Sequence, residues 1–213
     1  MLTFFYSPGA CSLASHIALE EIGTPFEAVR TVIAEGATRT PEYLALNPRA
    51  VVPTLKDDDF VLTESMAILF YLARLFPAAG LVPADPRLAA RCGELLSVFT
   101  TSVHVAFRQL WRPERFVDGE LQRSAVRQGG LDRLPSWFET LEAIVDGRTW
   151  AVGDGFTIAD TYLLIFYRWG VRVGAAEKNW DMRRYPAWTR HTHRMLERPA
   201  VQRAMRRENI ILG

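Results

Sequence analysis

Cys11 is the first residue whose type and position offer chemistry. It follows the break Ser7-Pro8-Gly9 and falls in the first turn of a predicted helix. There, free backbone N–H groups and the helix dipole favour an anion, either its own thiolate or a bound one. A lone cysteine is more commonly buried and inert, and the mid-helix Cys92 reads that way. Ser12 and Tyr6 bring hydroxyls to the same neighbourhood. Either would lower a thiol pKa by donating to the thiolate, although Ser12 reads equally as a helix cap and Tyr6 as cover for a strand end. Glu64-Ser65 opens another helix directly after a strand. Ser65 with the first free N–H groups suits a carboxylate and Glu64 suits an ammonium, so the pair fits the α-amino acid end of a ligand. The plainer alternative is an ordinary cap. Val52-Pro53 lies between apolar strand segments, where proline interrupts a ladder. About 5–6% of X-Pro bonds are cis. A cis bond here would turn the Val52 N–H and C=O toward a ligand backbone.

The elements that must hold these residues follow from the apolar pattern. Leu2–Tyr6 reads as a strand, Cys11–Ile22 as a helix ended by Gly23, and Pro25–Ile33 as a second strand. Pro41–Leu44 starts a short helix with Pro at its first position. Val51–Leu55 and Phe60–Leu62 form a hairpin around Asp57-Asp58-Asp59, and Thr63-Glu64-Ser65 opens a helix to Phe76. The order is β-α-β-α-β-β-α. Pro77–Pro86, with three prolines and a glycine, suits a linker. Beyond it the pattern is helical over Arg87–Leu110, Glu120–Asp146, Thr157–Val173 and Pro186–Met205. Thr157-Ile158-Ala159-Asp160 gives a capping-box-like start to the third.

Composition excludes several classes. The chain has 213 residues, 49% hydrophobic and 23% charged, enough to bury a sizeable core and too apolar for disorder. Its longest fully apolar run, Met66–Ala73, falls well short of the ~20 residues of a spanning helix, so no membrane partner is expected. The formal charge of +1 gives no overall pull toward nucleic acid. Two cysteines are too few for a disulfide scaffold, and His191 and His193, two apart on a helix, make no metal pair; no metal is expected. Met1–Leu13 lacks the basic region and apolar stretch of a signal peptide, so the expected location is the cytoplasm. The charge is unevenly spread, with ten acids against five bases up to residue 85 and fourteen against twenty beyond. All basic residues but Lys56 and Lys178 are arginine. That bias fits either phosphate recognition or a GC-rich coding sequence, and the dispersal of these arginines among acids favours the second.

Tyr6–Leu13, Asn47-Pro48, Val52-Pro53, Thr63-Glu64-Ser65 and Phe156-Thr157-Ile158-Ala159-Asp160 occur in the order and spacing of the glutathione S-transferases. The chain resembles their bacterial beta class along its whole length. The resemblance implies an α/β thioredoxin-like domain over residues 1–78, a linker over 79–86 and an all-α domain over 87–213, the glutathione transferase fold. It implies a homodimer, glutathione as co-substrate and a cis Pro53. Val52 would then pair with the cysteinyl backbone of glutathione, and Glu64 and Ser65 with its γ-glutamyl group. Cys11 matches the beta-class cysteine beside the glutathione sulfur. His104 matches an active-site histidine, although alone on an apolar face it reads as a core residue. Thr101, one turn earlier, is a further candidate contact. With Ala50 and Val51 apolar and Glu35 in place of a basic residue, contact with the glycine carboxylate falls to Arg49. Thiolate stabilisation is expected from the helix dipole, Cys11, Ser12 and His104. A hydrophobic electrophile would lie between the domains against Phe107, Leu110, Trp111 and Tyr167. Two alternatives stand beside conjugation: thiol-disulfide exchange through Cys11, and a non-catalytic binding module using the basic stripe Arg190, Arg194 and Arg198.

Overall fold

The computed structural model describes residues 1–177 and 180–211. Its N-terminal part is a four-stranded sheet flanked by helices. The strands are β1 (Leu2–Tyr6), β2 (Phe26–Arg30), β3 (Thr54–Asp57) and β4 (Phe60–Thr63), in the order β2-β1-β3-β4. β1 and β2 are parallel, joined through α1 (Leu13–Ile22). β3 runs antiparallel to β1 and forms a hairpin with β4. α2 (Pro41–Leu46) and α3 (Ser65–Leu75) complete this part. The second strand is shorter than the sequence predicts, because the chain after Arg30 tightens into 3-10 turns over Ile33–Glu35 and Ala37–Arg39. The hairpin also begins later, at Thr54. Val52-Pro53 is cis and precedes the ladder, so the missing proline N–H costs the sheet nothing.

The remainder is helical: α4 (Pro86–Val98), α5 (His104–Trp111), α6 (Glu120–Val145), α7 (Ile158–Glu177), α8 (Pro186–Glu197) and α9 (Pro199–Arg207). Two continuous helices of the sequence reading are interrupted. A π-helical stretch, Phe99–Val103, separates α4 from α5. α8 and α9 part at Arg198, which the following Pro199 holds in extended backbone. The capping box forms as its spacing predicts. Asp160 accepts from the Thr157 N–H at 2.7 Å, the Thr157 hydroxyl at 3.0 Å and the Ala151 N–H at 2.8 Å, and it contacts His191 at 2.8 Å.

The acidic and basic halves meet at α1 and α9. Arg198 makes a two-pronged pair with Glu21, at 2.6 and 2.9 Å, while Arg203 and Arg207 share Glu20. Arg198 also lies over Phe156, and Arg194 donates to the Thr149 carbonyl. Two members of the basic stripe are therefore spent inside the molecule. Among the described residues no helix is long and apolar enough to cross a membrane.

Candidate functional site

Two connected hollows lie where the sheet meets the helical part. The smaller, about 60 Å³, is lined by Val52, Pro53, Glu64, Ser65, Thr100 and Tyr162. The larger, about 500 Å³, opens between the β1–α1 loop, the segment after β2, and α5, α6 and α7. Cys11, Val51, Val52 and His104 line both.

Local sequence explains the smaller hollow. Asn47 and Tyr43, both buried, donate to the Val51 carbonyl at 2.8 and 2.6 Å and fix the loop that presents Val52. Glu64 caps α3 with φ +71° and ψ +119°, a backbone region that a non-glycine residue adopts only under constraint from its surroundings. Its carboxylate pairs with Arg49 at 3.4 Å, and Arg49 also donates to the Thr63 hydroxyl. Arg49 therefore stands at the Glu64 end of the hollow, beside the carboxylate that it neutralises.

Cys11 stands just before α1 rather than inside its first turn. The N–H groups of Leu13 and Ala14 already donate to the carbonyls of Ala10 and Cys11, at 3.1 Å each. The helix start is thus largely committed to its own turns. Burial pushes the Cys11 thiol up to about 11, against the opposing pull of the Ser65 hydroxyl and the Arg108 charge. Its Sγ lies 3.7 Å from the Val52 carbonyl, to which the thiol donates. Burial, aided by Arg108, pushes the His104 imidazole down to about 4. Both groups are therefore neutral near pH 7. Tyr162, buried against this corner, was not singled out by sequence; burial raises its hydroxyl pKa.

Several expected residues sit elsewhere. Ser12 is wholly buried, its hydroxyl tied to the backbone N–H and C=O of Ser7 at 3.2 Å, where it staples the loop. Tyr6 shares a strand face with Leu2 and Phe4, turned toward the helices, and its hydroxyl donates to the Arg207 carbonyl at 3.3 Å. Thr101 is exposed and donates to Ser97. The π-helical stretch adds a residue to the turn, so Thr100 takes the position expected of Thr101. Of the four expected wall residues only Trp111 lines the cleft. Phe107 is fully buried behind it, stacked among Trp111, Trp169 and Phe166, and Leu110 is buried as well. Tyr167 bonds Thr189 within the helical core, and Trp169, two residues on, is the aromatic that faces the cleft.

The β1–α1 loop is gripped from the helical side. Gly9, at φ +70°, receives the Trp169 indole N–H on its carbonyl at 2.9 Å. Its N–H donates to Glu208 at 2.9 Å, and the other oxygen of Glu208 lies 2.8 Å from His16.

A four-stranded sheet domain with a cis-proline loop, packed on a helical domain, thus holds a small hollow beside an open cleft. The glutathione S-transferase N-terminal domain family matches residues 2–74, and the glutathione S-transferase C-terminal domain family matches residues 106–199. The chain is similar to glutathione S-transferase GstA of Escherichia coli O157:H7, with 34% identity over 98% of this chain and all of that one. It superposes on a glutathione transferase homolog from Sulfitobacter with bound glutathione (TM-score 0.88, 30% identity, 99% of each chain). It likewise superposes on the bacterial beta class glutathione S-transferase of Sphingomonas chungbukensis (TM-score 0.80, 32% identity, 98% of this chain and all of that one). The chain belongs to the glutathione S-transferase family.

Proposed function

We propose that this glutathione S-transferase binds glutathione across the small hollow and conjugates it in the cleft. The observation that carries this reading is that Cys11 and His104 line both spaces. A thiol delivered at that corner meets whatever the cleft holds. In this reading Glu64 and Ser65 take the γ-glutamyl group, and the Val52 backbone takes the cysteinyl unit. Once the ligand occupies the Val52 backbone, the neutral Cys11 thiol turns from the Val52 carbonyl and, with the His104 imidazole, offers a hydrogen to the glutathione sulfur, while the nearby Arg108 charge favours its anion. Ser12 and Tyr6 act on the loop and strand rather than on sulfur. The thiolate attacks the electrophile, the leaving group departs with the bonding electrons, and the thiol proton passes to solvent. Cytoplasmic location and assembly as a homodimer, which would cover exposed apolar residues such as Phe60 and Leu88, belong to the same proposal.

A Cys11 thiol at about 11 is a poor nucleophile near neutrality, which weighs against disulfide exchange. Conjugation of a chlorodinitrobenzene is the direct test. Cys11→Ala and His104→Ala should each lower kcat/KM about tenfold, the worth of one hydrogen bond to a charged sulfur. Between pH 5 and 10 wild type should show a single rising limb. His104, lowered to about 4, has already lost its proton, and Cys11, raised to about 11, still keeps its own, so the limb is that of the glutathione thiol. Unchanged rates in both variants, or a stable glutathione adduct on Cys11 after treatment with oxidised glutathione, would overturn these roles.

A further inference from the structure

The wide cleft is lined by six arginines, Arg30, Arg108, Arg112, Arg115, Arg127 and Arg172, and by no acidic side chain. They come from β2, α5 and the turn after it, α6 and α7, so the fold converges residues scattered over 143 positions of sequence. Among the described residues only two make ion pairs: Arg30 with Glu35 at 3.0 Å, and Arg112 with Glu114 at 3.8 Å. Among the described residues, Arg108, Arg115, Arg127 and Arg172 have no carboxylate partner. Burial, with the like charges of Arg108, Arg112 and Arg39, lowers the Arg115 pKa against the opposing pull of Glu114. Between the arginines stand two flat aromatic walls, Trp111 and Trp169, edge to face at 5.2 Å, with the Arg172 guanidinium 5.0 Å from the Trp111 ring centre.

From this convergence we infer that the second substrate is an aromatic electrophile carrying an anionic group, a carboxylate or sulfonate. Its ring lies against the tryptophans and its charge among Arg127, Arg172 and their neighbours. Arginine suits that task because its planar fork grips a carboxylate through two hydrogen bonds. Glutathione does not account for the cluster, since its glycine end brings a single carboxylate. The inference deepens the transferase reading and rests on it for the chemistry alone: sulfur bonds to the ring carbon, the carbon–chlorine bond breaks, and chloride leaves with the electron pair.

The test uses 4-chloro-3,5-dinitrobenzoate and its uncharged amide, which share one reaction. Wild type should turn over the carboxylate with kcat/KM about tenfold above the amide, the value of one or two charge-assisted hydrogen bonds. That margin should shrink as salt screens it. The double variant Arg127→Gln/Arg172→Gln should lose most of the margin while leaving the amide rate and the KM for glutathione within about twofold. A direct measurement is independent of turnover: the unreactive 3,5-dinitrobenzoate should bind wild type by calorimetry about tenfold more tightly than the double variant. Equal use of acid and amide, equal loss on both in the variant, or equal binding of the benzoate to both proteins would overturn the inference. Glutathione binding, titrated separately, reports on the transferase reading, so the two failures are distinguishable.

Discussion

The small hollow and the cleft share Cys11, Val51, Val52 and His104, yet they are built on opposite plans. The hollow is made mostly from backbone: a cis-proline loop, a strained residue at the start of α3, and a buried hydroxyl. Its one exposed acid, Glu64, is already neutralised by Arg49. The cleft is made from long side chains of one charge sign, anchored on four separate elements. Backbone geometry admits one ligand and rejects small variations, because moving a carbonyl means moving a loop. Arginines on helix faces recognise charge and tolerate variation in shape. One half of the site is thus built to keep its ligand, and the other to be retuned by substitutions that leave the fold intact.

That contrast breaks most readily at Ser65. Its hydroxyl is buried, and it acts on the Cys11 sulfur. Ser65→Ala should raise the KM for glutathione about tenfold or more, as expected for removing a hydrogen bond to a charged group. The KM for the electrophile should stay put. Steady-state kinetics with each substrate varied separately would show the split, and parallel rises would mean that the two halves are one site.

A smaller effect is expected where the halves are clamped together. Glu208 accepts from the Gly9 N–H and contacts His16; Glu208 and His16 are buried, and Gly9 is half-buried at the edge of the cleft. Glu208→Ala leaves that N–H and the imidazole unpaired, which costs about 1–3 kcal/mol in stability. Urea denaturation would measure it. Gly9 lines the cleft and not the hollow, so the accompanying kinetic loss should fall on the electrophile KM. A rise confined to the glutathione KM would place the loop's influence on the wrong side.

How much of this could be read beforehand follows from where each part sits in sequence. Cys11, Val52-Pro53 and Glu64-Ser65 are short local motifs, and their strand and helix settings are set within a few residues. The buried face of Tyr6 is legible too, since period-two alternation puts it with Leu2 and Phe4. Ser12 was harder, because its partner Ser7 belongs to a loop whose path no periodicity reveals. The arginines were visible only as a composition bias, and their dispersal pointed to coding bias. His104, Arg108, Trp111, Arg112 and Arg115 do follow helical spacing along one face. Nothing local tells that Arg30, Arg127 and Arg172 arrive opposite them. That takes the α5–α6 packing at Gly130, where a Cβ would meet the Ala106 carbonyl at 2.7 Å.

The smallest effect concerns a single residue of register. An unbroken helix puts Thr101 one turn before His104, on the same face. The π-helical stretch Phe99–Val103 spends an extra residue in that turn, so Thr100 lines the hollow and Thr101 lies in solvent. Adding bulk at each position separates the two registers. Thr100→Leu pushes methyl groups into a hollow of about 60 Å³ that Tyr162 also lines, and overpacking of this kind costs about 1 kcal/mol or more. The KM for glutathione should rise about fivefold. Thr101→Leu adds the same bulk to an exposed face and should leave both KM values within the error of the assay. A rise at Thr101 with none at Thr100 would mean that Thr101, rather than Thr100, stands against the hollow.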